Sequence, residues 1–243
     1  MNELLWLIEL LVIFLLVVLA YRWFGEQGLI LWIPLSVIIA NIQVVQAVRL
    51  FGLSATLGNA AYAASFLITD ILSENHGRKA ARRAVWMGFF SLLSVTLLMN
   101  LTLRFRPLPA DVWAGETHTA LNTIFSLLPR IALASLIAYM VSQYHDVWAF
   151  AAIKRRFPGP RWLWLRNNLS TMVSQLIDSV IFVSIAFWGV YEGRVLWEIL
   201  LTTYILKWVV AAADTPFVYW ARGIAARRGL DKPDGQQHTS TPD

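Results

Sequence analysis

The sequence predicts an all-α membrane protein, a polytopic transmembrane helical bundle of six to seven spans. Three observations carry that reading. Of 243 residues, 58% are hydrophobic and 14% charged, with a mean hydropathy of +0.57, more apolar surface than a soluble core absorbs. The apolar residues fall in runs spread evenly from Leu4 to Trp220, so one membrane bundle houses them more economically than two soluble domains. The basic residues, which leave a formal net charge of +5, cluster between those runs, where they set topology and do not mark a nucleic-acid surface.

A hydrocarbon core of about 30 Å takes about 20 apolar helical residues, which selects segments near 4–24, 28–50, 55–75, 85–105, 122–146, 169–190 and 195–220. The start, Met1-Asn2-Glu3, lacks the basic region of a cleavable signal, and the run to Phe24 exceeds an ordinary signal core, so the first segment reads as a retained helix. It could lie at the membrane periphery without altering the other spans. Connections are short except 106–121 and 147–168, where Pro107, Pro109, Pro158, Gly159 and Pro160 interrupt any helix. Residues 1–228 form the membrane domain and 229–243 a polar, disordered cytoplasmic tail rich in Asp, Gln, Thr and Pro.

Orientation follows from the Lys and Arg of the loops, because positive loops stay cytoplasmic. With the N-terminus outside, inner loops hold Arg22, Arg78, Lys79, Arg82, Arg83, Lys154, Arg155, Arg156, Arg161, Arg166, Arg222, Arg227, Arg228 and Lys232, against Arg49, Arg104, Arg106 and Arg194 outside. The C-terminus is therefore expected in the cytoplasm. Several chemistries are excluded. No cysteine is present for thiolate metal sites, and His76, His118, His145 and His238 form no pair at helical ligand spacing. No phosphate-binding loop followed by Lys-Ser or Lys-Thr occurs. No metal or cofactor is expected.

The informative residues are polar groups inside apolar spans, where an ionised side chain costs about 2.5–3.5 kcal/mol or more and is kept when it faces the bundle interior with partners. Asn41 and Gln43 lie in the second segment and Asn59 in the third, where Asp70 and Glu74 share one face at i, i+4. Arg130, Gln143 and Asp146 belong to the fifth, Gln175 and a mid-span Asp178 to the sixth, and Lys207 and Asp214 to the seventh, followed by Thr215-Pro216. Simpler roles compete with a binding site. Asp70, Glu74 and Asp146 could pair with Arg82 or Lys154 at the cytoplasmic ends, Arg130 could snorkel outward, and Lys207 and Asp214 could serve as ion-pair partners for other helices. Met140-Val141-Ser142-Gln143-x-x-Asp146 recurs thirty-two residues later as Met172-Val173-Ser174-Gln175-x-x-Asp178. Both copies lean toward the cytoplasmic half of adjacent antiparallel spans and could meet around one site.

These residues resemble those of the bacterial queuosine-precursor transporters, a vitamin-uptake-like family. The resemblance centres on the block from Phe66-Leu67-Ile68-Thr69-Asp70-Ile71 through Glu74-Asn75-His76-Gly77-Arg78-Lys79 to Arg82-Arg83-Ala84-Val85-Trp86. It continues through Arg130 and Ser135, Gln143-x-x-Asp146, Trp164-Leu165-Arg166-Asn167, Gln175-x-x-Asp178, Lys207 and Asp214-Thr215-Pro216, covering roughly residues 30 to 220. His76 stands where the family more often has Tyr. The resemblance implies a fold like the membrane subunits of vitamin importers and import of deazaguanine bases, the cyano and aminomethyl precursors of queuosine, across the inner membrane.

A buried carboxylate with a Gln or Asn amide can satisfy the donors and carbonyl of a guanine-like edge, and an aromatic ring, with Trp86 or Trp164 as candidates, would stack on it. Expected partners are that small molecule and the lipid bilayer, with no nucleic acid; a homo-oligomer is compatible with the chain. Two alternatives stay open. One is the substrate-binding subunit of an ATP-driven vitamin importer, docking through the small residues Ala60, Ala61, Ala63 and Ala64. The other is an intramembrane enzyme using Asp70 and Asp178 as a carboxylate pair, although no Gly-x-Gly-Asp signature or obvious nucleophile is present.

Overall fold

A computed structural model describes residues 1–157 and 163–228; the proline-rich connection at 158–162 and the expected tail at 229–243 lie outside the described residues. Its elements are α1 (Asn2–Phe24), α2 (Glu26–Gln43), β1 (Ala47–Leu50), β2 (Leu53–Thr56), α3 (Gly58–Asn75), α4 (Arg78–Thr102), α5 (Val112–Phe125), α6 (Leu128–Arg156), α7 (Leu163–Phe187) and α8 (Gly193–Arg227). Five helical stretches, Asn2–Phe24, Glu26–Gln43, Lys79–Thr102, Val112–His145 and Gly193–Arg227, are long and apolar enough to cross a bilayer. An apolar stretch of α7, Met172–Phe187, and the 18-residue α3 complete an all-α, multi-pass membrane bundle.

The first helix is an integral part of it. Trp6, Leu10, Phe14, Val17, Val18 and Tyr21 recur every three or four residues and are buried, which lays one stripe of α1 against α2, α3 and α8. Leu4, Leu11 and Leu15 on the remaining surface are exposed, as lipid-facing residues are. The centre of the bundle is α3, whose Ala60, Ala61, Ala63 and Ala64 are all buried within the fold. Those alanines serve close helix packing and are not the partner-docking stripe considered above.

Two segments depart from the sequence expectation. The second span ends at Gln43, not near residue 50, and the following residues form an antiparallel hairpin pairing Ala47 with Thr56 and Leu50 with Leu53. Its two-residue loop, Phe51-Gly52, has φ of 52° and 80°, the pair of positive values that a primed hairpin turn requires. The 106–121 stretch, expected to be irregular, carries α5 from residue 112, with Asp111 accepting a hydrogen bond from the Ala114 amide at 3.3 Å as its N-cap. The chain breaks at Ser126 and Leu127 before α6 begins.

Contacts at the helix ends fix how the chain passes back and forth. At one end the hairpin receives Asn2 (Nδ2 to the Arg49 carbonyl, 3.1 Å), Glu3 (from the Phe51 amide, 3.1 Å) and Glu198 (from Ser54 Oγ, 2.7 Å). At the other, Tyr21 meets His76 at 3.2 Å, His76 lies 3.6 Å from Glu26, and Arg228 donates to the Arg22 carbonyl. Helices α1, α3 and α8 thus run in one direction.

Candidate functional site

Five helices enclose a chamber of about 360 Å³. Its polar lining comes from Asn41 of α2, Ser65, Thr69 and Ser73 of α3, Arg82 of α4, Ser135, Ser142 and Gln143 of α6, and Gln175 and Asp178 of α7. Its aromatic lining comes from Tyr62, Phe66, Phe89 and Tyr139. These rings are paired edge to face or tilted, Tyr62 with Phe66 at 5.3 Å and Phe89 with Tyr139 at 5.0 Å between ring centroids, so their orientations are mutually supported. Small residues make the room. Gly88 faces Ile33 and Val37, and an added Cβ there would come within 3.0 Å of Ile33.

Asp178 is the most constrained polar group of the chamber. Its Oδ2 forms an ion pair with Lys207 Nζ of α8, with side-chain exposures of 22% and 12%, and its Oδ1 lies 3.3 Å from the Ser142 hydroxyl of α6. The expectation of donors around a mid-span carboxylate is met, and one of the donors is a cation. The two copies of the repeated motif do meet: Ser142 of the first touches Asp178 of the second, and His145 lies 3.0 Å from Ser174. A smaller cavity of about 60 Å³, lined by Asn41, Asn59, Asp178 and Lys207 among others, sits beside the chamber. Asn41 donates to the Val37 carbonyl at 2.7 Å and Asn59 to the Thr56 carbonyl at 3.1 Å, which leaves each amide oxygen as the remaining acceptor.

Other expected site residues stand elsewhere. Gln43 donates to Glu9 of α1 at 2.6 Å, away from the chamber. Arg130 donates to the carbonyls of Ile185 and Trp188 and so closes the C-terminal end of α7; it neither snorkels nor reaches the chamber. Asp70 and Asp214 line a separate cavity of about 170 Å³ between α3 and α8. Glu74 pairs with Arg222 at 3.3 Å and, among the described residues, not with Arg82; the side chain of Lys154 lies outside them. The side chain of Asp146, like that of Trp164, lies outside the described residues. Trp86 is half exposed and does not line the chamber; the rings that line it are Tyr62, Phe66, Phe89 and Tyr139. The quoted block already contained Phe66, but nothing in a single sequence distinguishes an interior ring from a lipid-facing one.

A polytopic helical bundle with a polar, aromatic-walled chamber in its interior has the architecture of a membrane transporter for a small polar solute. Residues 56–221 match the family described as "Putative vitamin uptake transporter", and the chain belongs to that family, in which its relatives are queuosine-precursor transporters. It is 45% identical over 221 residues to the "Probable queuosine precursor transporter" of Bacillus subtilis (strain 168), covering 91% of this chain and 95% of the relative. It is 27% identical over 175 residues to the "Queuosine precursor transporter" of Escherichia coli (strain K12), covering 71% and 74%. A third relative, the "Probable queuosine precursor transporter" of Haemophilus influenzae, is 28% identical over 138 residues, 57% of this chain and 54% of its own length. No solved structure matches.

Proposed function

We propose that this protein imports queuosine precursors, deazaguanine bases, across the bacterial inner membrane for salvage into tRNA, and that the base binds in the chamber between α2, α3, α4, α6 and α7. The observation that carries the substrate is the 45% identity over nearly the full length of both chains to a relative bearing that name. The chamber's chemistry agrees with it. A guanine-like edge offers two neighbouring N–H donors beside a carbonyl. Asp178 and the amide oxygens of Asn41 and Gln143 are acceptors for the donors, and Arg82 is a donor for the carbonyl. Tyr62 and Phe89 give the flat ring aromatic surface to lie against.

The protein acts as a carrier and not as an enzyme: Asp70 and Asp178, the carboxylates an intramembrane hydrolase would need together, line different cavities. The loop arithmetic supports a cytoplasmic C-terminus, which puts the His76 end of the bundle inside the cell. The test is uptake of labelled deazaguanine base by a strain dependent on salvage for queuosine. Cells carrying this gene accumulate the base and recover queuosine in tRNA; equal accumulation with and without the gene would refute the reading.

A further inference from the structure

Beside the chamber, α3 and α8 bring two carboxylates to one place. Asp70 and Asp214 both line the cavity of about 170 Å³ and both line an open vestibule of about 620 Å³ at the end of the bundle where α3 and α8 terminate. Asp214 is 4% exposed, and the hydroxyl of neighbouring Thr215 donates to the Ala211 carbonyl at 3.3 Å. Among the described residues neither acid forms an ion pair. Two such groups facing one cavity in a membrane raise each other's free energy, and one bound cation relieves both.

A second observation points to a ligand there. Gln175 lines the same cavity, and its Oε1 is buried without a hydrogen-bond partner. The surrounding charges are accounted for. Glu74 is paired with Arg222, Lys207 with Asp178, and His76 lies against Tyr21 and Glu26, while Arg82 faces the chamber. The cavity's oxygen-bearing side chains are Asp70, Asp214 and Gln175, set against the Lys207 stem and the apolar Phe66, Trp208 and Ala211. That is too few ligands for a metal ion, which takes about six oxygens, and it adjoins an ammonium. A proton needs one carboxylate oxygen and no coordination shell.

We propose that Asp70 and Asp214 form a proton site, distinct from the substrate chamber, that couples import of the base to a proton gradient. The site is wired to the chamber by two residues. Gln175 lines both cavities, and Lys207 borders the acid pair while holding Asp178 in the chamber wall. Charge on the acid pair therefore changes the pull on Lys207 and with it the position of Asp178. In the state described here the vestibule opens the pair toward the end bearing the C-terminus, the side on which a co-transported proton leaves.

This inference rests on the transport reading, and the experiment separates the two. Full-length protein in proteoliposomes is assayed for exchange of labelled cyano-substituted deazaguanine base at equal pH, then for uptake under an imposed pH gradient or a sodium gradient. Wild-type protein exchanges base and accumulates it up to about tenfold per pH unit, for one proton per base. Asp214→Asn exchanges base at a rate that no longer follows pH and does not accumulate it under the gradient; Asp70→Asn serves as the second variant, and Asp214→Glu restores accumulation. Absence of exchange by the wild type overturns the transport reading itself. Exchange without response to the pH gradient, a response to sodium instead, or gradient-driven accumulation by both Asn variants overturns the proton site.

Discussion

Replacing Lys207 by Met tests the ion pair that ties α8 to the chamber wall. The substitution keeps the length of the side chain and removes its charge, so Asp178 remains in the bundle with the Ser142 hydroxyl, 3.3 Å away, as its remaining donor. Removing one partner of a buried pair costs about 3–5 kcal/mol. Asp178 keeps 22% of its side-chain surface accessible and borders a polar chamber, which lowers the expected loss to about 2–3 kcal/mol. Asp178→Asn removes the other charge, leaving Lys207 beside the acids of the neighbouring cavity, and costs less, about 1–2 kcal/mol. The double variant therefore loses less than the two single losses added together, by a coupling of about 1–2 kcal/mol. Thermal unfolding of the purified proteins in detergent measures it, at roughly 2–4 °C per kcal/mol for a chain of this size. Effects that add to within about 0.5 kcal/mol would refute the pairing.

Four further outcomes are expected. Gly58→Ala lowers thermal stability by about 1–3 kcal/mol, because the new Cβ would stand 2.4 Å from the Ala40 carbonyl oxygen; unchanged melting would show that α2 and α3 are not so closely apposed. Arg130→Gln leaves the Ile185 and Trp188 carbonyls without their cation and lowers stability by about 1–2 kcal/mol, while the affinity for base, read by titration, stays at the wild-type value. Tyr62→Ala weakens base binding roughly 5- to 100-fold, the equivalent of one lost stacking surface, whereas Trp86→Ala, which lies outside the chamber, leaves it unchanged. Reporter fusions after Arg83 and Arg228 signal cytoplasm, and fusions after Asp111 and Glu192 signal the exterior; the reverse pattern would overturn the orientation.

What the sequence reveals and what it conceals divide along physical lines. Spans such as α1 and α4 are legible because apolar length is a direct requirement of the bilayer. The meeting of the Ser142 and Asp178 segments is legible too, since adjacent antiparallel helices bring the late turns of one beside the early turns of the next. The hairpin is hidden because Val44, Val45 and Val48 extend an apolar run without Pro, and only the Phe51-Gly52 pair hints at a turn. Helix α5 is hidden behind Pro107 and Pro109, which end α4 but do not forbid a new helix capped at Asp111. Within the site, desolvation cost flags every intramembrane polar residue alike. It cannot tell Asp178, which lines the chamber, from Arg130, which caps a helix end, or Gln43, which pairs with Glu9. Partner identity decides among them, and partners come from tertiary packing.

Photolabelling shows where a deazaguanine base binds, and the chamber between α2, α3, α4, α6 and α7 is the expected place. A photoreactive deazaguanine analogue, irradiated with the purified protein and mapped by peptide mass spectrometry, should label segments 62–69, 85–92 and 135–143, and excess unlabelled base should suppress the labelling. Suppressible label confined to α1, α5 or the hairpin would contradict the claim.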